Sequence, residues 1–307
     1  MKTFAKECDA LQQIDSPHLL KFFGFGTTAS GGKFIVTELL AGGSLLDVLR
    51  NPKRDLPWRT RSKIALQVAL GMKHLHERHM LHRDLKSANV LLDEDLRAKV
   101  CDFGLSRVVR PARQQVVHSP FTGVTRLLSA QLSGDVMNNY GQQSVMSFED
   151  IAVNVLDARG TMTKAAGTLL WMAPEVYRGD RNYTGAVDVY SYGIMMWELA
   201  TRKKPWVEEL SHETVFFEQL NHALQTGRRP AIPDDVAAEH GEFVTVMQRC
   251  WAGDPADRPS FAEVSNDLFF FSFQKSVSAQ TVCAYRDVDI QICLGIGRLR
   301  AGNKYQG

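Results

Sequence analysis

Apolar residues Phe4, Cys8, Leu11 and Ile14 recur at helical spacing and predict a helix over 4–14, with Glu7 on another face. After Asp15-Ser16-Pro17 the pattern changes to two β-type runs, 19–25 and 33–39, joined by a Gly/Ser/Thr turn. Ser44 reads as the N-cap of a short helix that ends at Asn51-Pro52. A longer amphipathic helix is predicted over 61–76, with Ile64, Val68, Met72 and Leu75 on one stripe. Short strands follow at 90–92 and 98–101. Between Val108 and Thr163 polar residues, Gln, Ser and Gly displace any period. Helical character returns at 187–199, 214–224 and 243–251, and no internal repeat is visible.

The 307 residues are 44% hydrophobic, ample for a core, and the net charge is only +2. No basic field therefore argues for nucleic acid or an anionic membrane as partner. Five cysteines (Cys8, Cys101, Cys250, Cys283 and Cys293) are odd in number and never spaced as CxxC. That usage fits free thiols in a reducing compartment and predicts a cytoplasmic protein. No apolar run is long enough to span a bilayer, and Phe269-Phe270-Phe271 is too short to count. His74 and His76 lie two residues apart on a helix and point to different faces, which argues against a shared metal.

Three motifs change the picture. His82-Arg83-Asp84-Leu85-Lys86-Ser87-Ala88-Asn89 is followed, one strand's length later, by Asp102-Phe103-Gly104, and further on by Ala173-Pro174-Glu175. In this order they resemble the signature set of the eukaryotic protein kinases, over roughly 4–268 of the chain. The resemblance implies an α+β, bilobal protein-kinase fold with a mainly helical lower lobe, acting on protein substrates with ATP and Mg²⁺ as cofactors. It implies that Asp84 accepts the substrate hydroxyl's proton and Lys86 meets the transferring phosphate as a point charge. Asn89 and Asp102 would hold the metal through hard oxygens.

By offset from these motifs, Thr37 resembles the gatekeeper of the nucleotide pocket. The backbones of Glu38 and Leu40 would face adenine, Ser44 and Asp47 the ribose, and Leu91 the underside of the base. Local reading alone makes the same residues strand, turn and helix cap. Asp188 resembles the helix residue that braces the catalytic loop, and Glu175 with Arg258 the ion pair that holds the lower lobe together. Cys101, just before Asp102, reads as a small buried hydrophobe.

Lys86 at its offset from Asp84 favours serine/threonine specificity, and Thr168, Trp171-Met172-Ala173, Arg229-Pro230 and Cys250-Trp251 resemble the tyrosine-kinase-like group of serine/threonine kinases (the Raf and mixed-lineage relatives). Arg83 suggests control by phosphorylation, with Thr161 or Thr163 as the site for an upstream kinase and two ordinary loop threonines as the alternative.

The chain departs from the family pattern in three places. Upstream of Glu7, which resembles the carboxylate that pairs with the phosphate-holding Lys, neither that Lys strand nor a Gly-rich loop is found, so the upper lobe reduces to a helix and about two strands over 1–40. The lower lobe is expected over 41–268, with a surplus of about 110–157 in the activation segment. The tail 269–307 alternates Val288, Ile290, Ile292 and Leu294 with polar residues, without a family counterpart. The leading expectation is a serine/threonine kinase. A catalytically impaired, pseudokinase-like interaction module and a truncated version of an active kinase are the alternatives.

Overall fold

The computed structural model describes residues 14–30, 32–102, 107–108, 169–178, 180, 184–207 and 216–274. The expected helix over 4–14 (with Glu7 and Leu11), Phe103 and Gly104, the surplus at 110–157, Thr161 and Thr163, and the alternating tail lie outside the described residues, save that Ile14 is described.

Two strands, β1 (Phe22–Thr27) and β2 (Lys33–Thr37), form an antiparallel hairpin in which Phe25 faces Ile35 and Gly26 faces Phe34. The run expected to start at 19 begins as β1 only at Phe22. Leu19 instead bridges Val100 in parallel, with Leu20 N donating to Val100 O and Val100 N to His18 O, both at 2.9 Å. That bridge ties the upper hairpin to the lower lobe. It packs on a helix at Gly71, where a Cβ would stand 2.6 Å from His18 O.

Strand β3 (Gly43–Ser44) leads into α1 (Leu45–Arg50), and the predicted N-cap is a complete capping box: Ser44 Oγ accepts from Asp47 N, and the Asp47 carboxylate accepts from Ser44 N. Carbonyls at the other end of α1 are satisfied by Arg202, whose guanidinium donates to Val48 O, Leu49 O, Asn51 O and Arg54 O. Those four bonds hold Arg202 in a left-handed conformation (φ 58°) that a non-glycine residue rarely adopts.

Helix α2 (Trp58–Glu77) buries the predicted stripe Ile64, Val68, Met72 and Leu75 completely. It starts a turn earlier than expected, where Pro57 sets the entering backbone and Arg61 stacks over the Trp58 ring. Strands β4 (Met80–Leu81), β5 (Val90–Leu92), β6 (Ala98–Val100) and β7 (Arg107–Val108) follow. They pair as β3-β5-β6 and β4-β7.

After α3 (Pro174–Tyr177) comes α4 (Ala186–Thr201), in which every side chain from Val187 to Ala200 is buried. A helix apolar on all sides sits at the centre of its lobe. Helices α5 (Phe216–Gln225), α6 (Asp234–Glu239), α7 (Gly241–Cys250) and α8 (Phe261–Gln274) complete the described lobe. Gly193 lets α7 approach α4, since a Cβ there would meet Trp251 N at 3.0 Å.

Helix α8 continues past 268 to Gln274, into the segment expected as a tail, and packs Phe271 against the core. Its start carries a second capping box, Ser260 with Glu263, a local signal legible in the sequence. The predicted ion pair is present: Arg258 grips the Glu175 carboxylate through both nitrogens at 2.6 and 2.9 Å, with both side chains buried.

Candidate active site

The catalytic-loop motif and the Asp102 motif meet because of one hairpin. β5 and β6 pair antiparallel with Val90 opposite Val100, and one step further Cys101 N donates to Asn89 O at 2.9 Å. Asn89 and Asp102 thus stand at the same open end of the hairpin. Pleating also sorts the side chains. Val90, Leu92, Ala98 and Val100 are fully buried, whereas Leu91 and Lys99, which face each other in register, are turned to the opposite, half-buried face.

Within the loop, Lys86 Nζ donates to both carboxylate oxygens of Asp84, at 2.9 and 2.8 Å. Asn89 Nδ2 donates to Asp84 O at 2.7 Å and to Asp84 Oδ2 at 2.8 Å. With its nitrogen so engaged, Asn89 keeps its amide oxygen for a cation, and Asp102 beside it is exposed. Arg83 (φ 70°) and Asp102 (φ 62°) both hold left-handed backbone, the kind of local strain that surrounding structure must impose.

Asp188 imposes it at the start of the loop. Its carboxylate accepts from His82 N at 2.9 Å, Arg83 N at 2.7 Å and His76 Nε2 at 2.8 Å. Burial alone pushes this carboxyl up, but the bond from His76, the nearby imidazoles of His76 and His82 and the Arg83 amide outweigh it and hold Asp188 below the ordinary carboxylate range. His82, fully buried, donates from Nε2 to Cys101 O at 2.9 Å and accepts at Nδ1 from Asp84 N at 3.3 Å, which fixes its tautomer. Burial, with Asp102 adding, pushes the Cys101 thiol up to about 12, so it behaves as the expected hydrophobe.

The residues expected around the nucleotide base are joined less tightly. Ser44 faces Leu91 across the β3–β5 pair, and Asp47 is held to Ser44 by the capping box. Glu38 connects to the same face, its carboxylate accepting from Lys99 Nζ at 2.7 and 2.8 Å and from Lys21 N at 2.7 Å. The Glu38 N–H is taken by Lys21 O, and its carbonyl by the Thr37 hydroxyl at 3.2 Å. Thr37 ends β2 opposite Phe22, and Leu40 follows Glu38 by two residues. Sequence reasoning missed Lys99, whose strand register would have placed it opposite Leu91. It also missed Gln67, which accepts from Ala98 N at 2.9 Å and pins β6 to α2.

Buried Glu198 was missed too. Its Oε1 accepts from Ser87 Oγ at 2.7 Å and its Oε2 from Trp171 Nε1 at 2.7 Å, with Ser87 N at 3.4 Å. Burial raises its carboxyl to about 7 despite these donors and the charge of Arg50. Nothing local in the sequence marks a glutamate in an apolar helix as a partner of Ser87.

A sequence model described as protein tyrosine and serine/threonine kinase matches residues 1–124 and 151–268. The chain belongs to this family. It is 32% identical over 270 residues to a probable LIM domain-containing serine/threonine-protein kinase of Dictyostelium discoideum, covering 87% of this chain and 33% of that protein. It is 31% identical over 264 residues to the serine/threonine-protein kinase STY17 of Arabidopsis thaliana, covering 86% of this chain and 36% of that protein. A dual specificity protein kinase of Dictyostelium discoideum, shkC, is 32% identical over 270 residues, 87% of this chain and 43% of its own length. The kinase-family chain therefore spans about a third to two fifths of the length of these relatives. No helix among the described residues is long and apolar enough to cross a membrane.

Proposed function

We propose that this chain is a protein serine/threonine kinase, transferring the γ-phosphoryl group of ATP to hydroxyls of protein substrates. The observation that carries the reading is the bonded set Asp84, Lys86 and Asn89, set beside Asp102 by the β5–β6 register. Two hard oxygen donors at one hairpin end suit Mg²⁺, which takes one or two protein oxygens and fills its remaining positions with phosphate and water. Bound there, the metal supplies charge neutralisation for the phosphates.

The chain's own residues do the rest. Asp84, held by Lys86 and Asn89, accepts the hydroxyl proton at a carboxylate oxygen. Lys86 keeps its ammonium beside the point of transfer, and Asp188 keeps the loop backbone in the strained geometry that presents Asp84. Thr37, Glu38, Leu40, Ser44, Asp47 and Leu91 are assigned to the nucleoside, an assignment supported by the Ser44–Leu91 pairing and the capping bond of Asp47 to Ser44. Lys86 supports serine/threonine preference, an upstream kinase acting on Thr161 or Thr163 is part of the same reading, and the thiol usage supports a cytoplasmic setting.

The test is Mg²⁺- and ATP-dependent phosphate transfer to a generic Ser/Thr substrate by the chain, by Asp84→Asn and by Asp102→Asn. Transfer should fall by about a hundredfold or more in the Asp84 variant, the scale of lost acid–base catalysis. Folded protein whose transfer matches that of both variants would overturn the reading and leave a module that works through protein contacts.

A further inference from the structure

The upper hairpin presents a backbone edge on β2. Thr28 N donates to Gly32 O at 2.7 Å, so the inward bonds of the antiparallel ladder alternate from there through Gly26–Phe34 to Gly24–Val36. Past the bulge, Glu38 N donates inward to Lys21 O at 3.0 Å. The amides and carbonyls of Lys33, Ile35 and Thr37 therefore point away from β1. Among the described residues β2 pairs with β1 alone. Phe34, whose ring lies over Gly26, and Val36 stand on one face and Ile35 on the other, all exposed. An apolar edge strand accepts a further strand unless charge or proline blocks it, and Phe34-Ile35-Val36 carries neither.

The sequence offers a matching segment outside the described residues. In 287–294, Val288, Ile290, Ile292 and Leu294 alternate with Asp287, Asp289, Gln291 and Cys293, an apolar set rich in β-branched residues. We propose that residues 287–294 add to β2 as a third strand, antiparallel to it, with Ile290 opposite Val36 and Ile292 opposite Phe34. The inference does not use the kinase reading.

Reach and direction both support this occupant. Helix α8 ends at Gln274, and its Phe271 lines one cavity with Leu66 of α2. From Leu66 short steps lead to the hairpin: the adjacent Gln67 accepts from Ala98 N, and the next residue, Lys99, donates to Glu38 just past β2. Residues 275–286, fully extended, span about 40 Å, ample for that path. A chain arriving from the lower lobe meets β2 at its Thr37 end and so runs against it.

Pairing chemistry selects the register. With Ile290 opposite Val36, the outward amide and carbonyl of Ile35 bond to the backbone of Gln291. The Ile290–Val36 and Ile292–Phe34 pairs then fall at the non-hydrogen-bonded positions, where side chains approach most closely. A slip of one residue would set Ile290 opposite Ile35 but Val288 and Ile292 opposite Thr37 and Lys33, and would turn the apolar set to the other face.

Two measurements on the full chain test the strand. Val36→Cys with Ile290→Cys, in a background of Cys283→Ser and Cys293→Ser, should close a disulfide within one chain on mild oxidation, since facing residues of such a pair stand within bonding range. It should form about tenfold faster than in Ile35→Cys with Ile290→Cys, whose side chains lie on opposite faces. Equal rates overturn the register. A link between two chains overturns the proposal in favour of a second copy as occupant.

Hydrogen exchange at the Ile35 amide supplies the independent reading. It should be slow in the unaltered chain at high dilution and about tenfold faster or more in Ile290→Asp with Ile292→Asp. Amides of the buried helix α7, such as Val244, should exchange equally in both, which shows that the variant is folded. Fast exchange at Ile35 in the unaltered chain refutes the third strand. Slow exchange that the two aspartates leave unchanged assigns the edge to some other occupant and refutes it equally.

Discussion

The two ends of the described molecule handle apolar surface in opposite ways. In the lower lobe, α4 is buried on every side from Val187 to Ala200, and its carboxylates hold the catalytic loop from within the core. In the upper hairpin no residue of known exposure is buried, and Phe23, Phe25, Phe34, Ile35 and Val36 are all exposed, at 40–57%. The difference teaches where the catalytic geometry comes from. Asp84, Lys86 and Asn89 are set by a helix that owes nothing to the hairpin. The face that carries Glu38 and Lys99 depends on it, through the Leu19–Val100 bridge and the Glu38–Lys99 pair. A two-stranded sheet is marginal on its own, so the second half of the site is the weaker half.

The largest expected effect breaks the strong side of this comparison. Arg258→Ala leaves Glu175 as an uncompensated buried charge and should cost about 3–5 kcal/mol in urea unfolding, with hydrogen exchange in β1 and β2 hardly changed. If exchange in the hairpin rises in proportion, the two regions are one cooperative unit and the contrast fails.

Next comes pH. The folded Glu198 carboxyl stands at about 7 against 4.5 when unfolded, so the folded state binds the proton more tightly. Its favourable contribution is complete below pH 4.5 and is lost as pH rises through 7, a swing of about 3 kcal/mol. Asp188, held below its ordinary value, has the opposite sign: its contribution is present above 3.8 and lost as pH falls through the folded value. Unfolding free energies of the unaltered chain and of Glu198→Gln, compared between pH 5 and 8, should therefore diverge by that swing. Parallel curves would show that Glu198 does not titrate in this range.

A smaller effect tests the joint. Gly71→Val places a methyl-bearing Cβ against His18 O and should cost about 1–3 kcal/mol, with faster exchange at the Leu20 and Val100 amides. Unchanged exchange there would show that the bridge does not depend on contact with α2. Smallest of all, Phe25→Thr on the exposed face should change stability by less than about 0.5 kcal/mol. A loss above 1 kcal/mol would mean that the aromatic surface of β1 is covered in solution, and would remove the contrast.

Much of the site could be read before any coordinates, for a reason visible in particular residues. Asp84, Lys86 and Asn89 lie within a few positions of each other, so the motif that carries the family resemblance is local. Ser44 was legible as a cap because the capping bond is local, and Ile64 to Leu75 were legible as core because helical period is local. The same local logic would have found α8 through Ser260 and Glu263. It failed at Leu19 and Leu20, where a β-prone run was claimed by a distant partner at Val100 in place of the neighbouring strand.

What the sequence alone determined is thus the reaction class, through the family that its motifs resemble, and the candidate residues within those motifs, because a motif is a matter of residue type and short spacing. Tertiary structure decided what holds them. The β5–β6 register brought Asp102 beside Asn89, the burial of α4 turned Asp188 and Glu198 into anchors with opposite shifts in acidity, and Lys99 of β6 found Glu38 beyond the end of β2. Desolvation and long-range hydrogen bonds depend on which groups are excluded from water together, and no spacing along the chain records that.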